Sequence, residues 1–265
     1  MKTVLTIAGS DPSAGAGIQA DLKTFAAHGV YGTSAITAIT AQNTTGVLGV
    51  FELPAEIVEA QIEAVAADLA VDAVKTGMLA NASIVEAVAA TVESLQLPRL
   101  VVDPVVAAKG GSRLLADDAV VTIKTVLLPL ALVVTPNALE AGLLAGIRVS
   151  SLADAREAAR RIHALGPASV IVTGGHLEGS EAIDLLYDGH DFTEFAGPRI
   201  QTRNTHGTGC TFAAAVAANL ALGEPLAAAA DKAKRYVTGA LQHGLAIGKG
   251  HGPLDHFWNR GPVYS

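Results

Sequence analysis

The chain has 265 residues, half of them apolar and 16% charged, with a formal net charge of −7 and a single cysteine. So much apolar material excludes a disordered chain. The acidic balance excludes a general attraction to nucleic acid or anionic membrane, and one cysteine excludes an internal disulfide or a cysteine-built metal cluster.

The apolar run at residues 4–8 ends at Asp11-Pro12, too early for a signal peptide. The later run at 126–134 is interrupted by Pro129 and is too short to span a bilayer. Both readings give a cytoplasmic protein with no membrane contact. In chain order, strands are expected at 3–8, 34–40, 73–76, 100–103, 132–135 and 169–173, mostly short β-branched runs closed by Gly, Asp or Pro. Helices are expected between them at 54–69, 82–95 and 153–165. Residues 182–187 and 191–195, separated by Asp188-Gly189-His190, read as a hairpin. Two helices, 208–222 and 226–245, follow it. This alternation predicts an α/β fold of three layers, a mainly parallel sheet with helices on both faces. With no linker or repeat, residues 1–265 read as one domain.

In such sheets ligands bind at the carboxyl ends of the strands, and three segments fall there. The first is Ala8-Gly9-Ser10-Asp11-Pro12-Ser13-Ala14-Gly15-Ala16-Gly17. It superficially fits a dinucleotide fingerprint, but the loop is long and no acidic residue follows at the ribose-binding distance. It reads either as a plain Gly-rich turn or as a loop closing on a small substrate, with Asp21 on the next helix pointing inward. The second is Asn204-Thr205-His206-Gly207-Thr208-Gly209-Cys210-Thr211, leading into an Ala-rich helix. Unpaired N–H groups at Gly207, Thr208, Gly209 and Cys210 suit a phosphoryl group. The helix field there is expected to lower the Cys210 thiol pKa, although a small buried cysteine would look the same in sequence. The third is Thr135-Pro136-Asn137-Ala138-Leu139-Glu140, which fits a capping box and equally a carboxylate near Mg²⁺ and phosphates. Asp103-Pro104 reads similarly, as a turn or a second acidic group. P-loop, protein-kinase, serine-nucleophile and zinc-helix motifs do not occur. His28, His163, His243, His251 and His256 are scattered and are assigned to structure.

These segments resemble hydroxymethylpyrimidine/phosphomethylpyrimidine kinases of thiamine biosynthesis, in the ribokinase-like superfamily. The resemblance is carried by residues 5–17, Gln19 to Phe25, Thr37 to Thr44, Gly77-Met78-Leu79 and Asp103-Pro104-Val105. Ala108-Lys109, Leu128-Pro129-Leu130, Thr135-Pro136-Asn137 with Glu140, Gly174-Gly175-His176, residues 204–211 and Gly250-His251-Gly252-Pro253 extend it over most of the chain. It implies an ATP- and Mg²⁺-dependent homodimeric kinase that phosphorylates one pyrimidine twice. By the same resemblance, Gln42 pairs with the pyrimidine edge, and Gly9, Asp21, Met78 and Val105 shape its pocket. Gly207, Thr208 and Gly209 form the anion hole with Cys210 as proton acceptor. Asn137, Thr173 and His206 serve the nucleotide, and Glu140 and Asp103 the metal. Ala14 stands where the family has Gly, Thr76 where it has Ile, and Thr173 where it has Lys. A threonine hydroxyl can hydrogen-bond a phosphate but cannot neutralise it. Pyridoxal kinases share the fold and a similar ring, and a single-step kinase or a pyrimidine-binding protein with weakened catalysis are the other readings.

Overall fold

A computed structural model describes residues 1–106, 116–176 and 180–260. Nine strands form one sheet: β1 (Thr3–Ser10), β2 (Tyr31–Asn43), β3 (Gly46–Glu52), β4 (Ala73–Thr76), β5 (Leu100–Val102), β6 (Val133–Val134), β7 (Val170–Val172), β8 (Glu181–Tyr187) and β9 (Phe192–Pro198). The helices are α1 (Gly17–Ala27), α2 (Ala55–Asp68), α3 (Ala82–Ser94), α4 (Asp117–Thr122), α5 (Ala138–Ala145), α6 (Leu152–His163), α7 (Thr208–Ala221) and α8 (Leu226–Gln242). The order across the sheet is β3-β2-β1-β4-β5-β6-β7-β8-β9. Strands β2 through β7 in that order run parallel, and β3, β8 and β9 join antiparallel.

Period-two alternation divides the core in two. Leu5, Ile7, Val74, Val102, Val134 and Val172 face one side, under α2, α3, α5 and α6. Val4, Ala73, Val101, Val133 and Ile171 face the other, where Phe25 of α1 and nearly every side chain of α7 pack on them. The small side chains of Ala213, Ala214, Ala215, Ala217 and Ala218 let α7 lie close on the sheet, which holds its first turn over the strand ends. Among the described residues no helix is long and apolar enough to cross a membrane.

The expected α/β sheet, its parallel core and the late hairpin are all present. The sequence reading has no counterpart of β3. Leu48, Val50 and Phe51 are exposed, so the strand lacks the one-sided burial that makes a strand readable. Asn43 closes its turn by accepting from the Thr45 amide and hydroxyl.

Candidate active site

The carboxyl ends of the strands lay the chemistry out in a row. Gln42 lies at the end of β2, Gly9 and Asp11 at β1, Lys75 and Met78 at β4, Asp103 and Val105 at β5, Asn137 and Glu140 after β6, and Thr173 after β7. At about 4.8 Å per strand, β1 and β7 are roughly 19 Å apart. The row therefore has two ends and a middle.

At the β1–β2 end, Asp11 gathers the loop around its carboxylate. Ser13 donates to Oδ1 through both amide (2.9 Å) and hydroxyl (2.7 Å). The amides of Gly15 and Ala16 and the His206 ring donate to Oδ2. Burial raises its pKa, but the bonds from His206, Ser13 and Ala16 outweigh that and hold it below the usual carboxylate range. A Cβ on Gly15 would lie 2.3 Å from the His206 ring, and one on Gly207 1.8 Å from the Gly15 carbonyl oxygen. Two glycines thus allow the 11–17 and 204–210 loops to touch. Gly9 is similarly close to Met78, whose Cε would be 3.1 Å from an added Cβ.

This corrects two expectations. His206 belongs to the Asp11 and Gln42 end, on the far side of the row from Asn137 and Thr173, because its ring is drawn to the Asp11 carboxylate at 2.8 Å. Asp21 does not face a pocket: it is fully buried, accepting from Thr6 Oγ1 (2.6 Å) and Lys75 Nζ (3.0 Å), because its side of α1 packs on the sheet.

In the middle, Lys75 is completely buried, with Asp21 at 3.0 Å and Asp103 at 3.8 Å. Burial works against its charge, but Asp21, Cys210 and Asp103 raise its pKa further. Sequence reasoning missed Lys75, although a lysine within the otherwise apolar Ala73-Val74-Lys75 run is itself a signal, since lysine is almost never buried unpaired. Cys210 stands in the first turn of α7, within reach of the charges of Lys75, Asp103 and Asp21. The expected lowering of its pKa is not found. Burial pushes the thiol up to about 12; Lys75 opposes this, and the charges of Asp103 and Asp21 add to it. A helix terminus does not outweigh the burial of this thiol, to which the two carboxylates add. Burial also raises Asp103, to about 6, against the pull of Lys75 and with Asp21 adding.

At the β6–β7 end, Asn137 caps α5 by accepting from the Leu139 and Glu140 amides, while Glu140 Oε2 accepts from the Asn137 amide at 2.9 Å. Burial and then the Asp103 charge push Glu140 up to about 8, despite the amides of Asn137 and Val106. Asn137 and Thr173 pair as an isolated parallel bridge. The next residue, Gly174, donates to Asp184 Oδ1 at 2.8 Å, and Asp184 also pairs with Lys234. Thr76 ends β4 and Val105 follows β5, with the Thr76 hydroxyl buried and without a hydrogen-bond partner among the described residues. Ala108 and Lys109 lie outside the described residues. The Gly250-His251 stretch ties down the β2–β3 turn: the Gly250 amide donates to Thr44 Oγ1 and the His251 amide to the Thr44 carbonyl.

Residues 11–255 match the family model described as phosphomethylpyrimidine kinase. The hydroxymethylpyrimidine/phosphomethylpyrimidine kinase of Bacillus subtilis (strain 168) is 50% identical over 254 residues, covering 96% of this chain and 94% of that protein. A thiamine biosynthesis bifunctional protein of Geobacter sulfurreducens is also 50% identical, and there the chain spans about half (52%) of the relative's length. Among solved structures, the pyridoxal kinase from Staphylococcus aureus in complex with AMP-PCP and pyridoxal superposes with a TM-score of 0.90 at 39% identity, over 98% of this chain and 96% of that one. With a ribokinase-like sheet, an amide-rich helix start over its strand ends and a family match across nearly its whole length, the chain belongs to the phosphomethylpyrimidine kinase family.

Proposed function

We propose that this chain transfers the γ-phosphoryl group of ATP to the hydroxymethyl group of 4-amino-5-hydroxymethyl-2-methylpyrimidine, and then phosphorylates the monophosphate to the diphosphate. The observation that carries this is the row itself. An acceptor end (Gln42, Gly9, Met78) and a capped nucleotide end (Asn137, Thr173) flank the amides of Gly207, Thr208, Gly209 and Cys210. In-line transfer needs acceptor and donor on opposite sides of a phosphoryl group held by preorganised donors.

The first step removes a proton from a neutral alcohol. Cys210 rests as a thiol, so it receives that proton once its own has left. The second step starts from a phosphate oxygen and needs no base. Lys75 holds Asp21 and Asp103 in place beneath both steps.

Glu140 and Asp103 fit a divalent cation. Both are buried oxygen donors that repel one another, and Asp103 Oδ2 has no hydrogen-bond partner among the described residues. They would hold Mg²⁺, which supplies charge neutralisation to the phosphates when bound. A second copy of the chain would cover Ile39, Leu48, Val50 and Phe51, exposed on the edge hairpin, giving a homodimer. ATP use and a single free cysteine suit the cytoplasm.

A mass-resolved time course with Mg-ATP and the pyrimidine alcohol tests the assignment, and monophosphate followed by diphosphate is expected. The likeness to pyridoxal kinases supports the second reading. Phosphorylation of pyridoxal in place of the pyrimidine would establish it. Binding of the pyrimidine without ATP consumption would instead mark a binding protein.

A further inference from the structure

Proton accounting around Gln42 reverses the direction in which its amide is read. Its Nε2 lies 3.4 Å from His206 Nε2, and its Oε1 lies 3.2 Å from Thr40 Oγ1. Both contacts compete for protons that shorter bonds already hold. Asp11 takes five donors, four of them N–H or O–H groups of its own loop, and so is an acceptor-only carboxylate. Its fifth contact, at 2.8 Å, therefore requires the proton on His206 Nε2, and that nitrogen cannot also accept from Gln42. At the other end, the single Thr40 hydroxyl proton goes to the Ser10 carbonyl at 2.8 Å, so Thr40 Oγ1 is left as an acceptor facing Gln42. Amide oxygen and nitrogen are assigned from their network: Thr40 Oγ1 can only accept here, and the N–H of His206, spent on Asp11, repels a second N–H, so both neighbours favour the exchange.

We infer that Asp11 and His206 are positioning residues that fix the Gln42 amide with its oxygen toward His206 and its nitrogen toward Thr40. One N–H and one oxygen lone pair of Gln42 then have no partner among the described residues. Together they match a ring edge carrying an exocyclic amino donor beside a ring-nitrogen acceptor. The amino group is read on the His206 side and the ring nitrogen on the Thr40 side, which selects one of the two in-plane placements of the ring. This rests on the pyrimidine reading above for the identity of the ring, but the amide orientation itself does not.

Two variants and one spectrum test it. His206→Leu removes the orienting donor, while His206→Gln restores an N–H at similar reach. His206→Leu is expected to raise KM for the pyrimidine alcohol about tenfold with KM for ATP within about twofold, and His206→Gln to recover most of that rise. Equal losses in both variants, or a parallel rise in KM for ATP, would overturn the proposal. In the unmodified protein, ¹⁵N spectra of His206 should show the proton on Nε2; a ring protonated on Nδ1 alone would also overturn it. The spectrum reads the network whatever ring the site accepts, so its failure is distinct from failure of the pyrimidine assignment.

Discussion

The two ends of the strand row are built by opposite means. At the nucleotide end, Asn137 and Glu140 satisfy each other across three residues of one helix start. At the acceptor end, Asp11 and His206 meet across 195 residues, and Gln42 and His206 across 164. The first arrangement is local. The second exists only when β1, β2 and the start of α7 are already assembled. The proposed acceptor end is thus a product of the whole fold, while the proposed nucleotide end is a capped helix placed beside a strand.

Cys210 lies between the two ends and provides the sharpest way to break the comparison. Cys210→Ala should slow the first phosphorylation by about 10²–10⁴-fold and the second far less, as single-turnover product masses would show. Equal losses would assign Cys210 to positioning. Lys75→Met should leave Asp21 and Asp103 buried without compensation, at a cost of about 3–5 kcal/mol in urea unfolding. An unchanged midpoint would mean that Lys75 holds neither carboxylate.

The support behind α7 gives a pH-dependent prediction. His256 is buried against Thr211 Oγ1, and burial, with a smaller push from Lys23, lowers its pKa from 6.5 to about 4. Between those values the unfolded chain binds a proton that the folded chain refuses, so stability falls as pH drops through that window. The loss is about 3 kcal/mol at pH 4. His256→Gln should lack this part of the slope; identical pH profiles of the urea midpoint would contradict it. The smallest expected effect is at Ala14, which holds φ +60° in the acceptor loop. Ala14→Gly should relieve about 1 kcal/mol of left-handed strain and raise Tm slightly; a lowered Tm would argue against strain there.

What the sequence made legible follows the same division. The capping box at Asn137, the glycine-rich start of α7 and the parallel strands are local patterns, and the structure has them where the sequence puts them. Lys75 went unread because a short strand does not announce what lies opposite one of its side chains. The resemblance assigns His206 to the nucleotide, and sequence does not show the distant Asp11 that holds its ring. The helix that would lower the Cys210 thiol is visible in sequence, whereas the burial that raises it, and the charges of Asp103 and Asp21 that add to it, arrive from other elements.

The most direct test is a crystal structure of the chain with the pyrimidine alcohol and a non-hydrolysable ATP analogue. The account predicts the ring on Gln42 and Met78 with its hydroxymethyl oxygen beside Cys210, and the nucleotide phosphates extending toward Asn137 and Thr173. A nucleotide lying over Asp11 and His206, with the ring elsewhere, would contradict it.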